Sequence, residues 1–414
     1  RHHPGLLRFS YYFLISLFVF QAFLSYLSTF AAIRRRHYQD RPLARHQQIP
    51  KSTFIVSAYL PNEVSVIEQT LLNLLKNVVR PEAGIEVILA YNTPHLETLE
   101  LRLRELALDH SELILANAYG SRSKSENLNY AIGLASGSMI VLLDADHQVA
   151  PDCLRRAWRW LDAGYDIVQG RCKIRNGSDN ALTALIEIEF EAIYSVSHAA
   201  KSLLFDCALF GGSNGYWKKQ VLNETRFHHD CLTEDIDSTL RATLAGRRIV
   251  HDSSIVSTEL APESMGTFWF QRKRWAQGWF QCSLRYQLRI WLTRFLNPAQ
   301  KFMWTTLLLW RIVYDILSHF LWPVVFAYWL TRGHISFPMN AYVWFSVCFT
   351  MFSGPFEALA ARLNSVDPRP PLWQYLYYST LAFPYMLFKN IIQTVAVGDE
   401  LLGRREWVVS ERKA

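Results

Sequence analysis

The segment Met139-Ile140-Val141-Leu142-Leu143-Asp144-Ala145-Asp146 limits the possible folds most sharply. Five apolar residues without polar alternation suit a strand buried on both faces, and such strands belong to parallel sheets covered by helices. The run then stops at two carboxylates spaced one residue apart. In doubly wound sheets, ligands bind outside the carboxyl ends of the strands. Residues i and i+2 of a strand point the same way. Asp144 and Asp146 are therefore candidates to share a hard divalent cation, which in turn holds the phosphates of a nucleotide. The plain alternative is a pair of acids capping a loop.

The neighbouring sequence supports such a sheet. Short β-rich runs at 53–58, 85–91 and 113–116 alternate with amphipathic stretches at 64–75 and 97–108, the pattern of βαβ units. The first run ends in Ser57-Ala58-Tyr59-Leu60-Pro61-Asn62-Glu63, which makes Ala58, Leu60 and Glu63 candidates for a nucleotide edge. No glycine-rich dinucleotide fingerprint or P-loop occurs there, which argues against dehydrogenases and P-loop ATPases. Lys124 lies where a helix opens just before the Asp-x-Asp strand. Its ammonium and the free N–H groups of that helix end both favour a phosphate, although a solvated basic cap would read the same. Residues 165–173 read as a further strand and 182–198 as a long helix. In Phe210-Gly211-Gly212-Ser213-Asn214-Gly215, three glycines in a short stretch let a backbone approach a sugar or an acceptor; a plain turn is the alternative. Thr233-Glu234-Asp235-Ile236-Asp237 opens an amphipathic helix through Leu244. Its acids satisfy the helix dipole, or one of them serves as a general base.

Half of the 414 residues are hydrophobic and only 19% are charged, too apolar for a wholly soluble enzyme. Residues 11–33 form an apolar run long enough for a hydrocarbon core of about 30 Å, with Arg34, Arg35 and Arg36 immediately after it. A basic flank faces the cytoplasm, so the catalytic region is expected there, and the run is too long for a cleaved signal. From Gln271 to Phe295, Trp, Arg and Leu interleave as in a helix lying along the membrane surface. Apolar blocks follow at 304–330, 341–359 and 372–397, giving four candidate spans. Four crossings would put the basic tail on the far side from the catalytic region, against the charge rule. One block is therefore expected to be re-entrant or interfacial, with Pro384 a break in the last. The expected order is an N-terminal span (1–37), a catalytic domain (38–262), interfacial helices (263–302), C-terminal spans (303–400) and a basic tail (401–414). The net charge of +7 is explained by span flanks and points to a bilayer, with no nucleic-acid partner. Six cysteines without Cys-x-x-Cys spacing read as reduced residues, forming neither a zinc site nor a disulfide framework.

Asp144-Ala145-Asp146, Thr233-Glu234-Asp235 and Gln271-x-x-Arg274-Trp275, in that order, give the chain its resemblance to the membrane-bound family-2 glycosyltransferases. These include the cellulose, chitin and hyaluronan synthases and glycolipid-forming enzymes such as ceramide glucosyltransferase. The resemblance covers residues 53–281, with an echo at Trp407-x-x-Ser410-x-Arg412. It implies an α/β GT-A nucleotide-sugar-binding domain joined to transmembrane and interfacial helices. It also implies that Asp144 and Asp146 lie at UDP and its Mg2+ or Mn2+, with Lys124, Asn129 and Arg412 near the nucleotide. Asp235 would deprotonate the acceptor hydroxyl beside Glu234. Gln271, Arg274 and Trp275 would hold the diphosphate and acceptor sugar, with Gly212, Ser213 and Asn214 on the acceptor side. Where relatives often carry adjacent aspartates, this chain has Asn92, which can still pair with uracil. Trp275 and Trp279 have the ring faces to stack on a sugar. Transfer from a UDP-hexose with inversion to a β-linkage is the expected reaction. Four spans leave little room for a polymer channel, which favours a membrane-lipid hydroxyl over a growing glycan unless an oligomer or accessory subunit completes one. Processive polysaccharide synthesis is the alternative. A non-catalytic scaffold or a metal-dependent nucleotidyl- or phosphotransferase has no use for all three motifs together.

Overall fold

A computed structural model of the chain describes residues 4–35, 48–94, 98–332 and 341–404. Eight strands form one sheet: β1 Ser52–Tyr59, β2 Ile85–Asn92, β3 Leu113–Asn117, β4 Met139–Asp144, β5 Gln148–Val149, β6 Ile167–Ile174, β7 Gly215–Lys218 and β8 Ile249–Glu259, in the order β3-β2-β1-β4-β7-β6-β8-β5. The first four are mutually parallel, and β7 runs antiparallel to both β4 and β6. The expected strands are all present. Strands β5, β7 and β8 were not among those expected, since β5 and β7 are short and β8 is polar from Asp252 to Glu259 except at Ile255 and Val256.

The apolar runs explain the layers. Phe54, Val56, Val141 and Leu143 enter one core under the sheet, while Ile55, Ile140 and Leu142 enter another on the opposite face. Successive strand residues alternate faces, and both faces here are covered. Each fully buried side chain of this size contributes about 1.5–3 kcal/mol. Register then sets the site: Ser57 pairs with Asp144, and Tyr59 with Asn92, so the carboxyl ends of β1, β2 and β4 share one edge.

Nine helices position this edge and the region behind it: α1 Pro4–Arg35, α2 Lys124–Leu134, α3 Ala181–Ala192, α4 Ala199–Phe205, α5 Glu234–Leu244, α6 Met265–Leu292, α7 Arg311–Ser318, α8 Ala341–Leu363 and α9 Leu372–Leu401. The expected 182–198 helix is α3 continued through a wider π-type turn over Ile193–His198 into α4. The Asn180 side chain caps α3 by accepting from Leu182 and Thr183 N–H, and Ser264 caps α6 by accepting from Thr267 N–H, in each case satisfying an amide the helix leaves open.

Among the described residues, three helical stretches are long and apolar enough to cross a bilayer: Gly5–Arg34, Pro298–Tyr328 and Ala341–Leu363. The fourth apolar block is α9, which carries buried Asn390 and Gln393 and ends in Asp399 and Glu400. Those acids dock on α6: Lys273 pairs with Asp399 at 2.5 Å, and Gln277 and Gln281 donate to Glu400 at 2.8 and 2.9 Å. Helix α1 packs on α8, with Tyr26 and Phe349 ring centroids 4.5 Å apart.

Helix α6 crosses the Thr233 turn at Gly278. A Cβ there would stand 2.5 Å from Thr233 Cγ2 and Oγ1 and 2.8 Å from its backbone nitrogen. Only glycine lets the two backbones meet without a shift. Gly278→Ala is expected to cost about 1–3 kcal/mol through overpacking, read as a lower unfolding temperature of the full chain in detergent. Activity should fall further than stability, because the shift falls on the turn that carries Glu234 and Asp235.

Candidate active site

A cavity of about 1540 Å³ opens at the β1–β2–β4 edge and continues inward between the helices. At its mouth lie Ala58, Glu63, Asn92, Lys124 and Asp144, and deeper in are Gly212, Ser213, Glu234, Asp235, Gln271, Arg274, Trp275 and Trp279. Side chains from sequence positions 58 to 279 thus meet on one wall, as the three motifs require.

Lys124 joins the two halves. Cap residue Ser123 starts α2 by accepting from Glu126 N–H, which sets Lys124 on its first turn. The Lys124 ammonium lies 2.5 Å from Asp144 Oδ1 and 3.4 Å from Glu234 Oε1, and donates to Gly212 C=O at 3.0 Å. Burial works against its charge, but Asp144 and Glu234 outweigh burial and hold its pKa above the usual lysine range. Ser213 Oγ accepts from Asp144 N–H at 3.0 Å, tying the glycine-rich loop to the end of β4. Gly212 has φ +90, and a Cβ there would lie 3.2 Å from Asp235 Oδ2, so glycine serves both the backbone and the close approach.

Asp235, in the first turn of α5, is the acid best suited to proton transfer. Burial and the neighbouring Glu234 charge push its pKa up to about 7, against the pull of Lys124 and Arg274. A carboxylate poised there can accept a proton near neutral pH. Arg274 donates to Leu232 C=O at 3.2 Å, so its guanidinium stays beside the same turn. The Arg272 guanidinium lies 4.4 Å from the Trp275 ring, and that of Arg311 lies 5.3 Å from Trp279, which fixes both rings by cation–π contact.

Four expected site residues stand elsewhere. Leu60 is fully buried in the core beneath the sheet, where its apolar side chain gains more than at a polar edge. Asn129 bonds Phe227 in both directions, donating to its C=O at 2.7 Å and accepting from its N–H at 3.0 Å, and so clamps a loop away from the cavity. Asn127 takes the place expected for it, donating to Ala58 C=O at 3.2 Å and Asn92 Oδ1 at 2.9 Å. Asn214 is fully buried and donates to the Arg171 and Ile255 carbonyls, both at 3.1 Å, so it braces the sheet behind the glycine-rich loop. Asp146, 1% exposed, accepts from Leu260 N–H at 3.1 Å and lies behind the wall. Arg412, with Trp407 and Ser410, lies outside the described residues.

The mouth suits a divalent cation. Asp144 offers hard oxygen ligands, stands on the wall with Asp146 next behind it, and already holds one cation, the Lys124 ammonium.

Sequence reasoning missed the inner half of the cavity. Glu189 receives Arg272 at 2.6 Å, Lys389 at 2.7 Å and the Tyr385 hydroxyl at 2.8 Å, joining α3, α6 and α9. Lys201, Arg311 and Glu357 line the same space. Acids at 187, 189 and 191 inside an apolar run were the available signal, since such residues are buried only with partners.

The family described as "Glycosyl transferase family group 2" matches residues 139–356, and that described as "Glycosyl transferase family 2" matches residues 53–224. Among curated proteins, glucomannan 4-beta-mannosyltransferase 2 of Arabidopsis thaliana is 25% identical over 297 residues, 66% of this chain and 50% of that protein. A poly-beta-1,6-N-acetyl-D-glucosamine synthase of Staphylococcus aureus is 28% identical over 255 residues, 61% of this chain and 60% of that protein. The chain thus aligns with only half to three fifths of these relatives' length. Among solved structures, a mannosyltransferase from Pyrobaculum calidifontis, in complex with GDP-Man and Mn2+, superimposes with a TM-score of 0.60 at 20% identity, covering 95% of this chain and 100% of that one. This likeness carries the GT-A fold. With more than half of its residues matched by one family and with that fold, the chain is a member of glycosyl transferase family group 2.

Proposed function

We propose that the protein transfers a hexose from a UDP-sugar to an acceptor hydroxyl in a single inverting displacement at Asp235. The observation that carries this reading is the position of Asp235: half-buried on the cavity wall, ionisable near neutrality, and acted on by the charges of Lys124 and Arg274. Breaking the bond from sugar C1 to phosphate oxygen creates an oxocarbenium-like centre and an anionic leaving group. A divalent cation, Mg2+ or Mn2+, would be held by Asp144 on the cavity wall, with Asp146 as a supporting carboxylate behind it, and would supply Lewis-acid stabilisation of that leaving group. Lys124 and Arg274 add fixed positive charge beside it, and Asn92, braced by Asn127, presents an amide to the base. Gln271 and Trp275 orient the sugar. Asp235 takes the proton of the attacking hydroxyl, and attack from the opposite face turns an α-linked donor into a β-linked product.

The inner chamber favours a glycan acceptor over the lipid hydroxyl expected from the span count. Gln393, His198 and Tyr314 line it, and both amide atoms of Gln393, His198 Nδ1 and the Tyr314 hydroxyl make no hydrogen bond among the described residues. Buried polar atoms without partners are costly. A chain of sugar hydroxyls would satisfy them, whereas an alkyl chain would not. The two curated relatives, named for glucomannan mannosyl transfer and for poly-beta-1,6-N-acetyl-D-glucosamine synthesis, support the same choice. Three crossings return α9 to the side of the catalytic domain, in keeping with a cytoplasmic domain and a basic cytoplasmic tail.

Two measurements test this reading. Because the base must be ionised, kcat/KM should fall as pH drops through about 7 and level off above it. Asp235→Asn should lose about 10²–10⁴-fold in turnover while still binding UDP. A retained rate in that variant would remove Asp235 from the reaction. Radiolabelled UDP-hexoses given to the protein in lipid should yield high-molecular-weight label that grows with time. Organic-soluble label of one fixed size would instead establish a glycolipid.

A further inference from the structure

Beside the donor edge, but built from other residues, three metal-ligating atoms converge on the cavity wall. They are His147 Nε2 or Nδ1, Cys172 Sγ and a Glu259 carboxylate oxygen, all within 4.8 Å of one another. The three come from the turn after β4, from β6 and from the end of β8. His147 is fully buried and Cys172 is 1% exposed.

The hydrogen bonds around the cluster determine where its lone pairs point. Ser257 Oγ donates its only proton to Cys172 Sγ at 3.7 Å. Toward His147 the same oxygen must therefore accept, 3.1 Å from Nδ1, which puts a proton on Nδ1 and turns Nε2 toward the cluster. Nε2 makes no hydrogen bond among the described residues and faces Glu259 Oε2 at 3.7 Å. An imidazole nitrogen, a thiol sulfur and a carboxylate thus face one point on the cavity wall. A divalent cation there would take the place of the protons that the imidazole and the thiol otherwise carry. The Ser257 contact fixes the ring as an outer-shell partner fixes a metal-bound histidine.

We propose that His147, Cys172 and Glu259 bind a borderline divalent transition-metal ion of the Zn2+ or Co2+ class, separate from the donor's cation at Asp144. Imidazole and thiolate ligands select such ions over Mg2+. Metal–ligand bonds of about 2.0–2.3 Å require the ligand atoms to draw together by roughly 1 Å. On binding, the Cys172 thiol proton passes to solvent. The ion would cross-link β6, β8 and the turn after β4, holding in place the loop that carries Asp144.

The test is a Co2+ titration of metal-stripped, full-length protein in detergent without nucleotide, followed by absorption. A thiolate-to-cobalt charge-transfer band saturating at one equivalent is expected. Cys172→Ser should abolish the band, and Glu259→Gln should weaken Co2+ binding by about 10- to 100-fold. Asp144→Asn should leave the band intact. Absence of the band in folded wild-type protein, or its survival in Cys172→Ser, would overturn the site; it would show that a proton alone joins His147 to Glu259. Loss of the band in Asp144→Asn would show that the ion is the donor's cation and would equally overturn it. His147→Ala serves as a further variant, and an unchanged circular-dichroism spectrum with a cooperative thermal transition checks that each variant is folded.

Discussion

The half-buried ammonium of Lys124 holds together groups that would otherwise repel. Asp144 and Glu234 lie 2.5 and 3.4 Å from it, and the charge of Asp235 acts on it as well. Unit charges 4 Å apart interact by about 4 kcal/mol at an effective dielectric of 20, so three carboxylates on one wall need a counter-charge between them. The ammonium comes from the first turn of α2, where the helix dipole adds positive potential. It therefore joins the donor edge of the sheet to the turn that presents Asp235. The Asp235 pKa near 7 reflects the same balance: burial and Glu234 raise it, while Lys124 and Arg274 restrain it.

A second buried ion cluster does for the inner half what Lys124 does for the mouth. Glu189 collects Arg272, Lys389 and the Tyr385 hydroxyl. Burial disfavours its charge, but Arg272 and Lys389 hold its pKa down to about 2. Buried pairs of this kind contribute little net stability, yet losing one partner strands a charge and is strongly destabilising. Their value here is geometric. Arg272 stacks on Trp275 while bound to Glu189, so α3 and α9 together set the position of a ring that lines the cavity.

Much of this was legible in the sequence. The parallel strands declared themselves as apolar runs, because a strand buried on both faces has no polar alternation. Asp144, Glu234, Asp235, Arg274 and Trp275 were readable as motif positions, and all five line the cavity. Less legible was which member of a short motif faces inward. Asn127 and Asn129 stand two apart on α2, and only the packing of that helix against β1 and β2 turns the first toward Ala58 and the second toward Phe227. Strand β8 was missed because its polar residues, exposed by pattern, are satisfied by neighbours distant in the chain.

The sequence alone determined the doubly wound sheet, the apolar blocks and the order of the motifs, because each follows from local periodicity and composition. Tertiary structure alone decided which residues meet. Lys124 meets Glu234 across 110 positions and Glu189 meets Lys389 across 200, and His147 meets Cys172 and Glu259 without any local spacing signal. Such contacts depend on strand order and helix packing, for which short-range sequence pattern carries no record.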